Sequence, residues 1–276
     1  MRTLAISIIL VALAATGAVA QQKAPDAGMK KPSQMTKVTW HGHAAFKIET
    51  PAGKTILVDP WLQNPANPTG KDDVKTIKAD LILVTHGHND HIGDAVEIGK
   101  RTKAKLVATY DLGAAIVAAG YPKDQFGMDT GGNFGGTIKV LDGEVSITFV
   151  PAVHSSNVAD KAGGNPGGFV ITVKGGGTIY HTGDTDVFGD MALIGKLAKI
   201  DLMLACIGGH FTMDPARAAE AVKLVKPKQT WPMHYGTFPA LAGTPADLAT
   251  ALKKIGARTV LVPKKIGESI MLSTPL

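Results

Sequence analysis

A chain of 276 residues with 45% hydrophobic residues can bury a full core in one domain, and no repeat of 20–50 residues points to a solenoid. The net charge of +6 is mild and the lysines are scattered, with no basic run interleaved with aromatics, so nothing indicates nucleic-acid binding. A single cysteine, Cys206, excludes an intramolecular disulfide framework.

The N-terminus reads as an address rather than as fold. Met1-Arg2 gives a positive start, residues 4–15 are apolar, and Ala18-Val19-Ala20 has the small-x-small form of a cleavage site. These features predict a signal peptide over residues 1–20, cut after Ala20, and a periplasmic or secreted protein. The apolar run is too short to span a bilayer comfortably, so no stable membrane anchor is expected after cleavage. No cysteine stands near the signal, which argues against a lipoprotein. Residues 21–36 are polar, with Pro and Lys, and are predicted to be a disordered leader. Residues 37–276 are predicted to form one domain, since no internal linker divides them.

Within that domain the chain reads as two similar halves. Residues 38–40, 45–48 and 55–58 are predicted strands between Gly-containing turns. Residues 81–85 form an apolar run read as a buried strand. Residues 94–103 are predicted helix, 106–109 strand and 112–119 helix. The glycine-crowded stretch 127–136 suits neither state. The second half restarts with strands over 137–141, 145–150, 169–173 and 178–181, then helix over 190–198 and a buried strand over 202–207. Residues 215–225 are a predicted helix with Asp214 as N-cap and Pro215 at its first position. A strand over 230–233 follows, then helix over 245–255 between Thr244 as N-cap and Gly256 at its end. Strands over 260–262 and 269–272 close the chain. Clustered strands with helices between some of them imply mixed sheets with helices packed outside.

The most informative stretch is His86-Gly87-His88-Asn89-Asp90-His91, directly after an apolar strand. Imidazole nitrogen and carboxylate oxygen are the ligand set of zinc and its neighbours. In an extended segment His86, His88 and Asp90 leave on one side and His91 on the other, so this one segment can address two metal ions. Later ligands are expected from other strand ends. His154, Asp184 and His234 each follow a β-rich run, where a sheet rim would form a cleft.

These residues resemble the metallo-β-lactamase-fold superfamily of hydrolases. More narrowly, the chain resembles a group of uncharacterised metal-dependent hydrolases that includes ascorbate-6-phosphate lactonase-like proteins. The likeness is carried by Trp40-His41-Gly42-His43-Ala44-Ala45-Phe46, Val58-Asp59-Pro60, residues 85–93, Ala152-Val153-His154-Ser155-Ser156, residues 180–185, Ile207-Gly208-Gly209, Phe211-Thr212-Met213 and residues 232–238. It implies an α+β fold, a four-layer αβ/βα sandwich of two mixed β-sheets flanked by helices. It also implies a ligand division: His86, His88 and His154 on a first metal, Asp90, His91 and His234 on a second, and Asp184 bridging both. The metals implied are two divalent ions, zinc first, with Mn2+, Fe2+ or Ni2+ as substitutes because no thiolate biases the choice. A hydroxide held between the ions is the expected nucleophile, acting on an ester, lactone or phosphodiester bond of a small molecule.

Around the ligands, Asp59 is placed to orient a metal-bound imidazole, the alternative being a turn-forming Asp before Pro60. His43 is a candidate to approach the substrate, the alternative being a hydrogen-bonded structural histidine. Asp90 counts as a catalytic candidate as well as a ligand. His210, after Gly208-Gly209, is the candidate for proton transfer or leaving-group contact. His41 is expected at the surface, and His181 is expected to pack rather than ligate. One β-lactamase subclass of this fold uses a cysteine on its second metal, but here Cys206 reads as core. Two rival functions stand beside the hydrolase: a non-catalytic metal or ligand binder on the same fold, and a β-lactam hydrolase.

Overall fold

The body is two seven-stranded sheets whose strand patterns repeat one another. The computed structural model describes residues 35–273, so the predicted signal peptide and most of the predicted leader lie outside the described residues. The first strand opens at Thr36, one residue inside the span read as leader.

In the first sheet, β1 (Thr36–Trp40), β2 (Phe46–Glu49) and β3 (Thr55–Val58) pair antiparallel in sequence. After α1 (Gly70–Thr76), β4 (Leu81–Leu83) lies parallel to β3. The single turn α2 (Asn89–Ile92) and α3 (Ala95–Thr102) return the chain to β5 (Lys105–Thr109), parallel to β4. Then α4 (Tyr110–Ala118) leads to β6 (Gly131–Gly132), again parallel.

The second sheet follows the same plan. β7 (Thr137–Val140) and β8 (Val145–Pro151) pair antiparallel, and a two-residue hairpin of β9 (Asn157–Val158) and β10 (Lys161–Ala162) stands apart. β11 (Gly167–Val173) joins β8, and β12 (Gly177–His181) joins β11, both antiparallel. Around α5 (Met191–Leu197), α6 (Pro215–Val225) and α7 (Pro245–Ile255), the strands β13 (Leu202–Cys206), β14 (Gln229–Met233) and β15 (Val260–Leu261) add on in parallel. The last strand, β16 (Ser269–Leu272), crosses back to pair with β1.

Strand alternation assigns the two faces of the first sheet. Ile56, Val58, Leu81, Leu83 and Val107 enter the core shared with the second sheet. Leu57, Ile82, Val84, Leu106 and Ala108 turn the other way, onto a second core with Ile98, Leu112 and Ile116 of α3 and α4. Between the sheets, Phe46 of β2 meets Trp231 of β14 edge-on at 5.5 Å and 86°, a preferred aromatic geometry. Ala218, Ala219, Val222 and Leu248 seal α6 and α7 onto the far side. The result is two mixed sheets flanked by helices, as the resemblance implies.

The predicted caps form. Asp214 accepts from the Arg217 amide at 2.8 Å, Thr244 accepts from the Asp247 amide at 3.2 Å, and Gly256 ends α7 in the left-handed region, each cap contributing about 1 kcal/mol. Five elements, α1, α2, β6, β9 and β10, have no counterpart in the sequence reading. α1 carries one buried apolar side chain, Val74, so it has no amphipathic period. The β9–β10 hairpin is too short to show alternation. β6 is two glycines inside the stretch read as loop, held by backbone pairing to β5 and by the Gly131 amide on the Gly127 carbonyl at 2.7 Å.

Candidate metal centre

The candidate residues lie on connections that leave the C-terminal ends of strands. Trp40 ends β1 before His43, Val58 ends β3 before Asp59, and Leu83 ends β4 before His86. Pro151 ends β8 before His154, His181 ends β12 before Asp184, and Met233 ends β14 before His234. β4 stops two residues earlier than the apolar run suggests. The Thr85 amide leaves the ladder and donates to Asp59 Oδ1 at 2.8 Å.

The His-rich turn is extended only as far as His88, which caps α2 with φ −69° and ψ 148°. Asp90 and His91 then lie on a helical turn. Strand parity, the expected reason for two-way presentation, therefore does not place Asp90; helix geometry does. Gly87 is required for packing. A Cβ there would stand 2.6 Å from the Asn157 carbonyl, because the β9–β10 hairpin lies against the turn. The Gly87 amide donates to Ser156 Oγ at 3.0 Å. On the opposite side Gly183, at φ +60°, makes the tight turn that presents Asp184.

The side chains converge in three overlapping groups whose potential ligand atoms lie within 4.8 Å of one another: His86, His88 and His154; His43, Asp90, His91 and His234; and His86, His91 and Asp184. In the first, His86 Nε2 is 2.9 Å and His154 Nε2 is 3.3 Å from His88 Nδ1. Asp184 faces both sides. Its Oδ1 is 3.2 Å from His91 Nε2, and its Oδ2 is 3.0 Å from His234 Nε2 and 3.7 Å from His154 Nε2. Two ligand atoms about 2.0–2.1 Å from one tetrahedral zinc stand about 3.3–3.4 Å apart, and the observed separations straddle that value.

Supporting side chains settle which nitrogen faces inward. Asp59 is fully buried and accepts from the Thr85 amide, from Thr85 Oγ1 at 2.7 Å and from His91 Nδ1 at 2.7 Å. Thr85 Oγ1 in turn accepts from His86 Nδ1 at 3.0 Å. One carboxylate therefore turns the lone pairs of His86 Nε2 and His91 Nε2 toward the centre. Asp59, besides preceding Pro60, therefore holds both Thr85 and the His91 ring by hydrogen bonds. His43 buries its ring completely and joins Asp90 Oδ2 at 3.0 Å to Thr237 Oγ1 at 2.9 Å. Burial pushes its pKa down to about 4, so the neutral ring donates from Nε2 to Asp90 and accepts the Thr237 hydroxyl at Nδ1. His43, Asp59 and His234 all hold positive φ, at 52°, 45° and 57°, a strain that collects at functional sites.

The electrostatics favour cations. Burial opposes the charge on Asp184, yet His234 and His91 hold its carboxyl well below the usual carboxylate range. Burial also opposes ionisation of Asp90, and the His234 and His43 imidazoles again prevail. Burial lowers His234 and His91, but Asp184 outweighs it, raising His234 to about 9 and His91 well above its ordinary value. His86, away from the carboxylates' strongest influence, is pushed well down by burial and by His91.

The residues fit a metal on an independent observation. His91 Nε2, His234 Nε2 and Asp184 Oδ1 are buried and lack a properly aligned hydrogen bond despite their close approach. Buried polar atoms without partners are costly, and a cation at their meeting point would satisfy all three. Beside them opens a cleft of about 380 Å³ lined by His88, Asp90, His154, Ser155, Asp184 and His234 together with the apolar Phe211, Phe238 and Leu241. Grooves of about 450 and 520 Å³ lie elsewhere and contain no histidine, so chemistry rather than size selects the site.

The other singled-out residues fall outside the cluster. His210 is exposed, rests its ring against Phe211 at 4.3 Å and does not line the cleft, although Phe211 does. His41, expected at the surface, is buried with Nδ1 3.4 Å from Asp73; α1, invisible in the sequence pattern, supplies that carboxylate and covers it. His181 packs, bonding the Ala44 carbonyl at 3.0 Å and the Gly183 amide at 3.1 Å. Cys206 is buried, with Sγ 3.7 Å from Thr182 Oγ1 and 3.6 Å from the Thr185 carbonyl, and burial, reinforced by Asp184, raises its thiol to about 11. Trp61, Thr85 and Thr237 were missed by sequence reasoning. Of these only Thr85, between the apolar strand and the first histidine, stood where a signal could be sought.

Residues 37–234 match the family model of the Beta-lactamase superfamily domain. The chain belongs to this superfamily of metal-dependent hydrolases and, within it, to the UPF0173 group. It is 56% identical over 246 residues to a UPF0173 metal-dependent hydrolase of Thermodesulfovibrio yellowstonii, covering 86% of this chain and 92% of that protein. It is 44% identical over 238 residues to one of Archaeoglobus fulgidus, covering 84% and 97%. Among solved structures it is similar to Igni18, a metallo hydrolase of Ignicoccus hospitalis, with TM-score 0.77, 37% identity and coverage of 87% and 100%.

Proposed function

We propose that this metal-dependent hydrolase is exported, holds two divalent ions, zinc first, and cleaves an ester, lactone or phosphodiester bond of a small substrate. The observation that carries the two-ion reading is Asp184, whose two oxygens face His154 of one group and His91 and His234 of the other. On this reading His86, His88 and His154 hold one ion, Asp90, His91 and His234 the other, and Asp184 is shared. Two such ions would ionise water near neutral pH and polarise a carbonyl or phosphoryl oxygen. The protein does the rest. Asp59 and Thr85 fix the imidazole tautomers, His43 holds Asp90 in place, and Phe211, Phe238 and Leu241 give the cleft an apolar lining. Export rests on the sequence of residues 1–20 alone.

Elemental analysis of purified protein tests the reading. Close to two divalent ions per chain are expected, and at most one under metal-replete conditions would overturn the shared-carboxylate arrangement. Turnover by the same preparation of lactones, phosphodiesters, thioesters and β-lactams then assigns the bond. A mature N-terminus at Gln21 is the matching outcome for export.

A further inference from the structure

The cleft is divided by chemistry. It is lined by members of the ligand cluster and by apolar side chains, with Ser155, among the described residues, the one polar side chain outside the cluster. Phe211 is 59% and Phe238 39% exposed beside it, while Leu241 is buried behind. Large aromatic side chains left in water beside a reactive centre are a standing gain for any ligand that covers them. Phe238 is held in position, stacked on Trp61 at 5.9 Å and 27° and touched by the edge of His43 at 5.9 Å. Trp61 is fixed in turn by its amide bond to the Asp59 carbonyl at 2.7 Å and by Gly93, where a Cβ would come within 2.4 Å of the Trp61 Cα. Phe238 is thus pre-organised, so a ligand need not order it.

Among the described residues, no lysine or arginine lines the cleft. An anion on the metal ions themselves needs no further cation. A phosphate or carboxylate anywhere else in the cleft would lose water without the charged donors that usually repay it.

We infer that the part of the substrate that is not hydrolysed is an uncharged, apolar group about the size of an aromatic ring, seated on Phe211 and Phe238, and that substrates phosphorylated at that end are not taken. The inference rests on the two-ion hydrolase reading and narrows it.

Calorimetric binding of hydroxamates to the zinc-loaded protein tests it, since these probes share one metal-binding head and differ only in the tail. Benzohydroxamate is expected to bind about tenfold tighter than acetohydroxamate, the gain from covering part of a ring. A hydroxamate ending in a phosphonate is expected to bind no tighter than acetohydroxamate. The double variant Phe211→Ala/Phe238→Ala should erase the benzo advantage and leave acetohydroxamate affinity unchanged, with Phe211→Leu/Phe238→Leu keeping most of it. Equal binding of the two neutral tails, an advantage that survives the double alanine variant, or tighter binding of the phosphonate would overturn the inference. Failure of acetohydroxamate to bind zinc-loaded protein would instead overturn the two-ion reading, and this inference with it.

Discussion

The two halves of the molecule supply the centre in different ways. Residues 36–132 deliver four candidate ligands from six consecutive positions and brace them with a side chain, Asp59, of the same half. The second sheet delivers one ligand from each of three strand ends, His154, Asp184 and His234, and sets two of them by backbone: the Gly183 turn for Asp184 and a left-handed residue at His234 itself. The sheets share one strand plan, so the difference lies in the loops. Where an extended stretch and a helical turn, α2, follow a strand, one connection carries several ligands; where a strand runs into a plain turn, it carries one. The first half thus depends on a hydrogen-bonded carboxylate and the second on local backbone geometry.

Substitutions on each side probe this contrast. Asp184→Asn should have the largest effect, because it removes the charge facing both groups while nearly keeping shape. Loss of one ion and a fall in turnover of at least about a hundredfold are expected; two retained ions with near-normal turnover would assign the shared role elsewhere. Asp59→Asn should rank next. Its amide would point a donor at His91 Nδ1 and favour the wrong tautomer, weakening metal affinity by about 10–100-fold with little change in the far-ultraviolet circular dichroism. An unchanged affinity would show that the first half does not depend on this brace.

Cys206→Ser should leave metal content unchanged and lower the melting temperature, since a hydroxyl replaces a thiol in a fully buried place. A drop in metal stoichiometry would revive a cysteine ligand. His210→Ala should do least. Its side chain is exposed and outside the cleft, so kcat, KM and the pH profile should stay near those of the parent. A missing acidic or basic limb in that profile would return His210 to the mechanism.

Much of this was legible because the chemistry is concentrated. The strand ends before His86, His154, Asp184 and His234 show in the sequence as apolar runs that stop at a polar residue. The caps of α6 and α7 show in Asp214-Pro215 and Thr244-Pro245. What stayed hidden depends on tertiary contact. α1 has one apolar anchor and is fixed by its surroundings, so neither it nor the burial of His41 beneath it has a local signal. The placement of Asp90 was reached through strand parity, whereas a four-residue helix is what performs it; a segment that short has no period to read. The aromatic side chains of the cleft, Phe211 and Phe238, and Trp61 stacked on Phe238 come from three separate loops, and no spacing rule connects them.

Because Asp184 belongs to one half and its neighbour His91 to the other, the centre cannot assemble before the two sheets have packed. On the two-ion reading, metal loading is then a late event that reports completed folding. The ions cross-link a chain whose lone cysteine can form no internal disulfide, and each adds RT ln(1 + [metal]/Kd) to the stability, about 4 kcal/mol at a thousandfold excess over Kd. Metal scarcity would accordingly be felt first in how much folded protein persists, and only afterwards in how fast each molecule works.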